Sequence, residues 1–129
     1  VLLDREAVMA LLPVVDSNTI RGLRELGGDR PQELLDELFA LLLTTAQSQV
    51  DEMHCAAKAS DLSQMIRATH TLRGSASSVG ALEVAFLCGQ MEAAAKTATA
   101  ADWGKLIGEL EGAISRLKQA LDKLGYKPS

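Results

Sequence analysis

Aromatic residues supply only 3% of this 129-residue chain: Phe39, Phe86, Trp103 and Tyr126. Strands draw on aromatic and β-branched side chains, so this scarcity beside abundant Leu and Ala argues against a sheet. No run alternates apolar and polar residues at strand period. Cysteine is nearly missing as well. Cys55 and Cys88 are too few for a disulfide scaffold and are not in metal-ligand spacing. Only three prolines interrupt the chain, which leaves long helices free to form. The longest apolar runs, such as Phe39 to Leu43, are far too short to cross a bilayer. Basic charge is in deficit: 13 Lys and Arg stand against 17 Asp and Glu, a net charge of −4. That balance disfavours nucleic-acid binding and provides no basic amphipathic segment for an anionic membrane. An apolar content of 47% is enough for a real core. The expectation is one small acidic domain over 1–129, from a reducing compartment.

What is present points to helices. Asp4 can cap a short helix over Arg5 to Leu12, stopped at Pro13. Asp16 or Ser17 can cap a second, carrying Ile20, Leu23 and Leu26 before Gly27-Gly28. Asp29 as cap and Pro31 in the first turn open a long helix. Its stripe runs Leu34, Leu35, Leu38, Leu41, Leu42, Thr45, Gln49, Met53, Ala56 and Ala57. Ser60 or Asp61 restarts a helix with Leu62, Met65, Ile66, Thr69, Leu72, Ala76 and Val79 on one face, and Gly80 ends it. Another runs from Leu82 to about Thr97, and residues 97–102 read as a loop with Thr99 as cap. A last helix carries Trp103, Leu106, Ile107, Leu110, Ile114, Leu117, Leu121 and Leu124 and stops at Gly125. The fold class is therefore all-α: an antiparallel four-helix bundle over 29–125, preceded by one or two short helices in 1–28. The tail 126–129 is expected to fray.

Chemical motifs are sparse. Neither a GxxxxGK[ST] nor a GxGxxG loop occurs. His54 and Cys55 are neighbours that point apart on a helix, so no zinc site forms there. His54 reads as structural, Cys55 and Cys88 as small apolar residues beside the core, and Trp103 as a packing anchor. Met53, Met65 and Met91 fit core stripes. One segment stands out, Ala68 to Gly80. Gly74 lies inside a good helix, where glycine costs about 0.5–1 kcal/mol relative to alanine. His70, Gly74 and Ser77 share a stripe, with Ser63 and Arg67 one or two turns earlier. His70 should thus lie at the flank of the buried face with its ring toward water. Arg73 is in reach three residues on. An imidazole with an ordinary pKa of about 6.5 is a nucleophile near neutral pH. Arg73 can meet phosphoryl oxygens with charge-assisted hydrogen bonds, and Gly74 leaves room for an incoming group. The bland alternative is a solvated His beside a solvated Arg, with Gly74 serving helix packing.

The segment His70-Thr-Leu-Arg73-Gly74-Ser75-Ala76-Ser77-Ser78-Val79-Gly80 resembles the histidine phosphotransfer domain pattern H-x-[LI]-[KR]-G-[SA]-[SA]-x-x-[LV]-G. The likeness continues through Ala81-Leu82, Leu87-Cys88 and Met91-Glu92, similar to that family's L-x-x-x-C-x-x-[LM]-E, and Gly27-Gly28-Asp29 resembles a loop these domains often carry. The resemblance implies a four-helix bundle with an exposed histidine midway along one helix. It implies a carrier, not an autonomous enzyme, which moves phosphate between receiver-domain aspartates. His70 matches the phosphorylated histidine, Arg73 the basic residue that steadies the phosphoryl oxygens, and Gly74 the glycine that clears access. Glu92 stands where some members have a Gln that hydrogen-bonds the imidazole. Lys96 either adds a second positive charge near the phosphate or pairs with Glu92 on a solvated face. The implied partners are response-regulator receiver domains, which supply Mg²⁺; no cofactor or metal of its own is expected. The start at Val1 without Met suggests the C-terminal module of a bacterial hybrid sensor kinase, cytoplasmic and tethered to the inner membrane through the rest of that chain. Two rivals stay open: a helical interaction module in which His70 is incidental, and the dimerisation and phospho-acceptor part of a histidine kinase. Against the second, Thr71 stands where an acidic residue usually follows the histidine.

Overall fold

The computed structural model describes residues 13–97 and 101–127. Five helices occur among them: α1 (Ser17–Leu26), α2 (Pro31–Ala59), α3 (Leu62–Ser78), α4 (Leu82–Lys96) and α5 (Trp103–Lys123), with no strand. The helix expected over Arg5 to Leu12 lies outside the described residues, as does Thr99, but the cap expected at Thr99 is corrected: the last helix is capped by Asp102. Helices α2 to α5 close into an antiparallel four-helix bundle in which each packs on its chain neighbours and α5 returns to α2. Short α1 lies against α2.

Three aspartates start helices by accepting an orphan backbone N–H. Asp16 accepts from Asn18, Asp61 from Gln64 and Asp102 from Lys105, at 3.0–3.2 Å. The long helix differs from the sequence expectation. Its N-cap is Arg30 rather than Asp29, with no side-chain cap bond. Pro31 in the first turn brings no N–H, so one of the usual orphan donors is missing there.

Leucine content misplaces the stripe of α2. Leu41 is 63% exposed, whereas Phe39, Ala46 and Val50 join Leu35, Leu42, Met53 and Ala56 in the core. Small residues let neighbouring helices approach, a requirement that apolar size alone does not reveal. In α3 the expected face holds for Met65, Thr69, Leu72 and Ala76, while Leu62 at the helix start is 39% exposed. Cys55 is exposed, contrary to the expectation of a core-side thiol; Cys88 is buried.

The tail departs from expectation more sharply. Leu124 is 56% exposed, and the chain reverses at Gly125, where φ is +87°. That turn brings Tyr126 back onto the bundle, 5% exposed, with its ring centroid 5.3 Å from that of Phe39. Its hydroxyl accepts from Arg24, and its N–H donates to the Leu121 carbonyl. Residues 126–127 do not fray, because a buried aromatic ring holds them. At the other end of α3, Gly80 takes φ +77°, and its carbonyl accepts from the Asp16 N–H at 2.7 Å. A Cβ there would lie 2.9 Å from the Thr19 Cβ, so the close docking of α1 on this turn requires glycine. Among the described residues no helix is long and apolar enough to cross a membrane.

Candidate functional site

The register of α3 is anchored on its buried side. Thr69 is fully buried, and its hydroxyl donates back to the Met65 carbonyl at 2.9 Å, so its polar atom is satisfied within the core. The next residue therefore turns outward. The His70 side chain is 64% exposed, as the sequence stripe predicts. One turn later, Gly74 has no neighbouring atom within 4 Å of where a Cβ would stand. Packing therefore does not explain this glycine, and the open space lies next to the imidazole.

Helix α4 supplies the other half of the site. Glu92 projects toward α3 with its side chain only 3% exposed. Its oxygens lie 3.2 and 3.3 Å from His70 Nδ1, 2.9 Å from Lys96 Nζ and 3.5 Å from an Arg73 terminal nitrogen. The same Arg73 nitrogen is 3.3 Å from His70 Nδ1. A guanidinium only donates, so the two groups meet because both point at one carboxylate. The aliphatic stem of Arg73 reaches it across Gly89, where an added Cβ would stand 3.6 Å from Arg73 Cδ.

Burial pushes the Glu92 carboxyl up, but hydrogen bonds from Lys96 and His70 and the charge of Arg73 outweigh it. The net direction is downward from the ordinary glutamate value. The group is thus an ionised carboxylate. An ionised carboxylate can only accept, so this contact favours the Nδ1–H form of His70, in which Nε2 carries the lone pair. Nearby Cys88 behaves oppositely: burial, only partly offset by Arg73 and reinforced by Glu92, pushes its thiol up to about 12. It is an inert packing residue.

His70, Arg73, Glu92 and Lys96 are thus brought into one cluster with Gly74 beside it. Of the two readings left open for Lys96, the pairing with Glu92 is present, but the carboxylate is buried between two helices rather than on a solvated face. What sequence reasoning missed is this burial of Glu92. His54 stands apart, 3.8 Å from Glu111 on the exposed surface. No group of three or more His, Cys, Asp or Glu among the described residues is placed to hold a metal ion.

The Hpt domain family model matches residues 37–120. Among solved structures, the histidine-containing phosphotransfer protein B from Pseudomonas aeruginosa PAO1 is similar, with a TM-score of 0.76 at 21% identity. The alignment covers 89% of this chain and 98% of that one. No curated protein matches the sequence significantly. The chain belongs to the Hpt domain family, whose members carry phosphate on histidine in phosphorelay signalling and interact with receiver domains of response regulators.

Proposed function

We propose that His70 is the phospho-accepting residue, taking a phosphoryl group from a receiver-domain aspartate and passing it to another. The observation that carries this reading is the orientation of the imidazole. Nδ1 faces the buried Glu92 carboxylate, and Nε2 has no partner among the described residues. In the forward step the Nε2 lone pair attacks phosphorus in line, an N–P bond forms, and the bond from phosphorus to the carboxylate oxygen breaks. The aspartate leaves as a free carboxylate, and the proton on Nδ1 stays where it is. The ring gains positive charge as the bond forms, and the fixed charge of Glu92 stabilises that developing charge. Arg73 and Lys96 lie within reach to meet the phosphoryl oxygens, while Gly74 leaves the approach path open. Reversal with a second aspartate completes the relay.

Mg²⁺ is the receiver's in this reading, and this chain's part is to present and orient a nucleophile. The domain then acts on the cytoplasmic side, where receivers are found, either free or as a module of a longer sensor kinase. The test is incubation with a phosphorylated receiver domain followed by mass analysis of the labelled residue. Label should appear on His70 and vanish in His70→Gln. Label retained by that variant, or carried on His54, sinks the assignment.

A further inference from the structure

Charge is divided unevenly over this bundle. Between Asp61 and Asp102 the chain contains two acidic residues, Glu83 and Glu92. Both are buried. Glu83 is paired with Arg116 at 2.8 Å, and Glu92 with the cations of the site. The charged side chains that α3 and α4 show to solvent are consequently all positive: Arg67, Arg73 and Lys96. The acidic surplus of the protein sits elsewhere, most heavily on α2.

Of the three cations, two are committed. Glu92 engages Arg73 at 3.5 Å and Lys96 at 2.9 Å. Arg67 is exposed and has neither an ion pair nor a side-chain hydrogen bond among the described residues. It stands one turn before His70. At helical pitch Arg67 and Arg73 lie about 60° to either side of the histidine. Arg73 leans to the α4 side, and Arg67 lines the groove toward α2. The carboxylate in that groove, Glu52, accepts from Gln64 at 2.6 Å rather than from Arg67. A guanidinium left without an ion pair one turn before His70, its groove neighbour Glu52 being engaged by Gln64, fits an anionic surface brought by a partner.

We propose that Arg67 is a docking residue for the acidic rim of the incoming receiver domain, acting on encounter rather than on the chemistry at His70. The proposal rests on the reading of His70 as acceptor. A receiver approaches with an aspartyl phosphate and the carboxylates that hold its Mg²⁺, so the surface it presents is negative. A cation one helical turn from the nucleophile lies within a Debye length of that rim and steers the approach.

The test compares Arg67→Glu with Lys118→Glu, which makes the same charge change on α5, a helix that packs on α2 and α4 rather than principally on α3. Two phosphate donors are used. One is a receiver domain charged with acetyl phosphate and Mg²⁺, taken as the fastest donor to the unmodified protein from a panel of response regulators. The other is phosphoramidate, a small donor that needs no docked protein. With the receiver, Arg67→Glu should lower the second-order transfer rate about tenfold at low salt, the gap closing near about 0.5 M salt. Lys118→Glu should stay within about twofold, and phosphoramidate should label all three proteins alike. Equal receiver-driven rates for Arg67→Glu and the unmodified protein at low salt overturn the proposal. So does an equal loss from Lys118→Glu, which would make net charge the cause. Slower labelling of Arg67→Glu by phosphoramidate also overturns it, by moving Arg67 into the chemistry. If neither donor places label on His70 of the unmodified protein, it is the acceptor reading itself that fails.

Discussion

Glu92 Oε2 lies 3.2 Å from His70 Nδ1, and the carboxylate is 3% exposed while the ring it meets is 64% exposed. The pair thus joins a charge fixed inside the bundle to a nucleophile at its surface. A surface carboxylate would be screened by water and free to change rotamer. This one is held by two helices, so it has one position from which to orient the imidazole.

That relationship predicts a split between two substitutions. Glu92→Gln keeps an oxygen able to accept from Nδ1–H, so the ring should remain mainly in the Nδ1–H tautomer. Glu92→Leu removes the acceptor, and the tautomers should move toward their solution balance. Nitrogen-15 chemical shifts of the imidazole read this directly. Transfer from a phosphorylated receiver should fall further in the Leu variant than in the Gln variant. Identical tautomer populations in both would remove Glu92 from any orienting role.

The same carboxylate gives stability a sign with pH. Its pKa is lowered in the folded state. It therefore contributes stability that is fully present above the ordinary glutamate value and lost as pH falls through the folded value. The stability advantage over Glu92→Gln should shrink as pH drops below about 4.3. Denaturant melts of both proteins between pH 3 and 5 measure it, and an advantage that grows as pH falls through that range would contradict the assigned charge state.

Two glycines on and after α3 should respond oppositely to alanine. Gly74 has helical geometry and open space around it, so Gly74→Ala should stabilise the fold by about 0.5–1 kcal/mol. Gly80 combines a positive φ with a Cβ position 2.9 Å from Thr19, so Gly80→Ala should cost more than about 1 kcal/mol. Thermal melts decide the signs. Phosphotransfer should slow in Gly74→Ala despite its higher melting temperature, and Gly74→Gln should nearly abolish it. Normal transfer by Gly74→Gln would leave this glycine without a functional reason.

Arg73 and Lys96 share one carboxylate but differ in placement. Arg73 rides on the helix of His70 and comes within 3.3 Å of its ring, whereas Lys96 is held 2.9 Å from Glu92 on α4. Arg73→Ala should therefore shorten the phosphohistidine lifetime and slow transfer more than Lys96→Ala. Arg73→Lys should retain most activity, because the family pattern accepts either cation. Decay of labelled protein at fixed salt ranks the variants; a larger effect from Lys96→Ala reverses the assignment.

Tyr126 should behave as a core residue although it lies near the end of the chain. Tyr126→Ala removes a ring packed on Phe39 and a hydroxyl that accepts from Arg24. A loss of about 3 kcal/mol is expected. Phosphate acceptance measured well below the melting temperature should be unchanged. A variant as stable as the unmodified protein would return the tail to a frayed end.

Local signals sufficed for much of this. Asp16 and Asp61 could be named at helix starts because a capping bond spans two or three residues. The outward turn of His70 follows from helical periodicity within one element. The family pattern from His70 to Gly80 is contiguous and can be read without a fold. Three things depended on how helices meet. The core stripe of α2 runs through Ala46 and Val50 rather than Leu41, because the side of the helix that meets its neighbours follows the phase of Leu35, Phe39, Leu42, Ala46, Val50 and Met53, and Leu41 falls outside it. Tyr126 is buried because a turn at Gly125 returns it to Phe39, a contact across 87 residues of sequence that no local pattern encodes. Glu92 could be aligned with a ring-binding position by resemblance, but periodicity gave no reason to bury a glutamate. Lys96 lies one turn along the same helix, but only the docking of α4 on α3 brings His70 and Arg73 to the carboxylate, and its burial is tolerable only where such partners are in place.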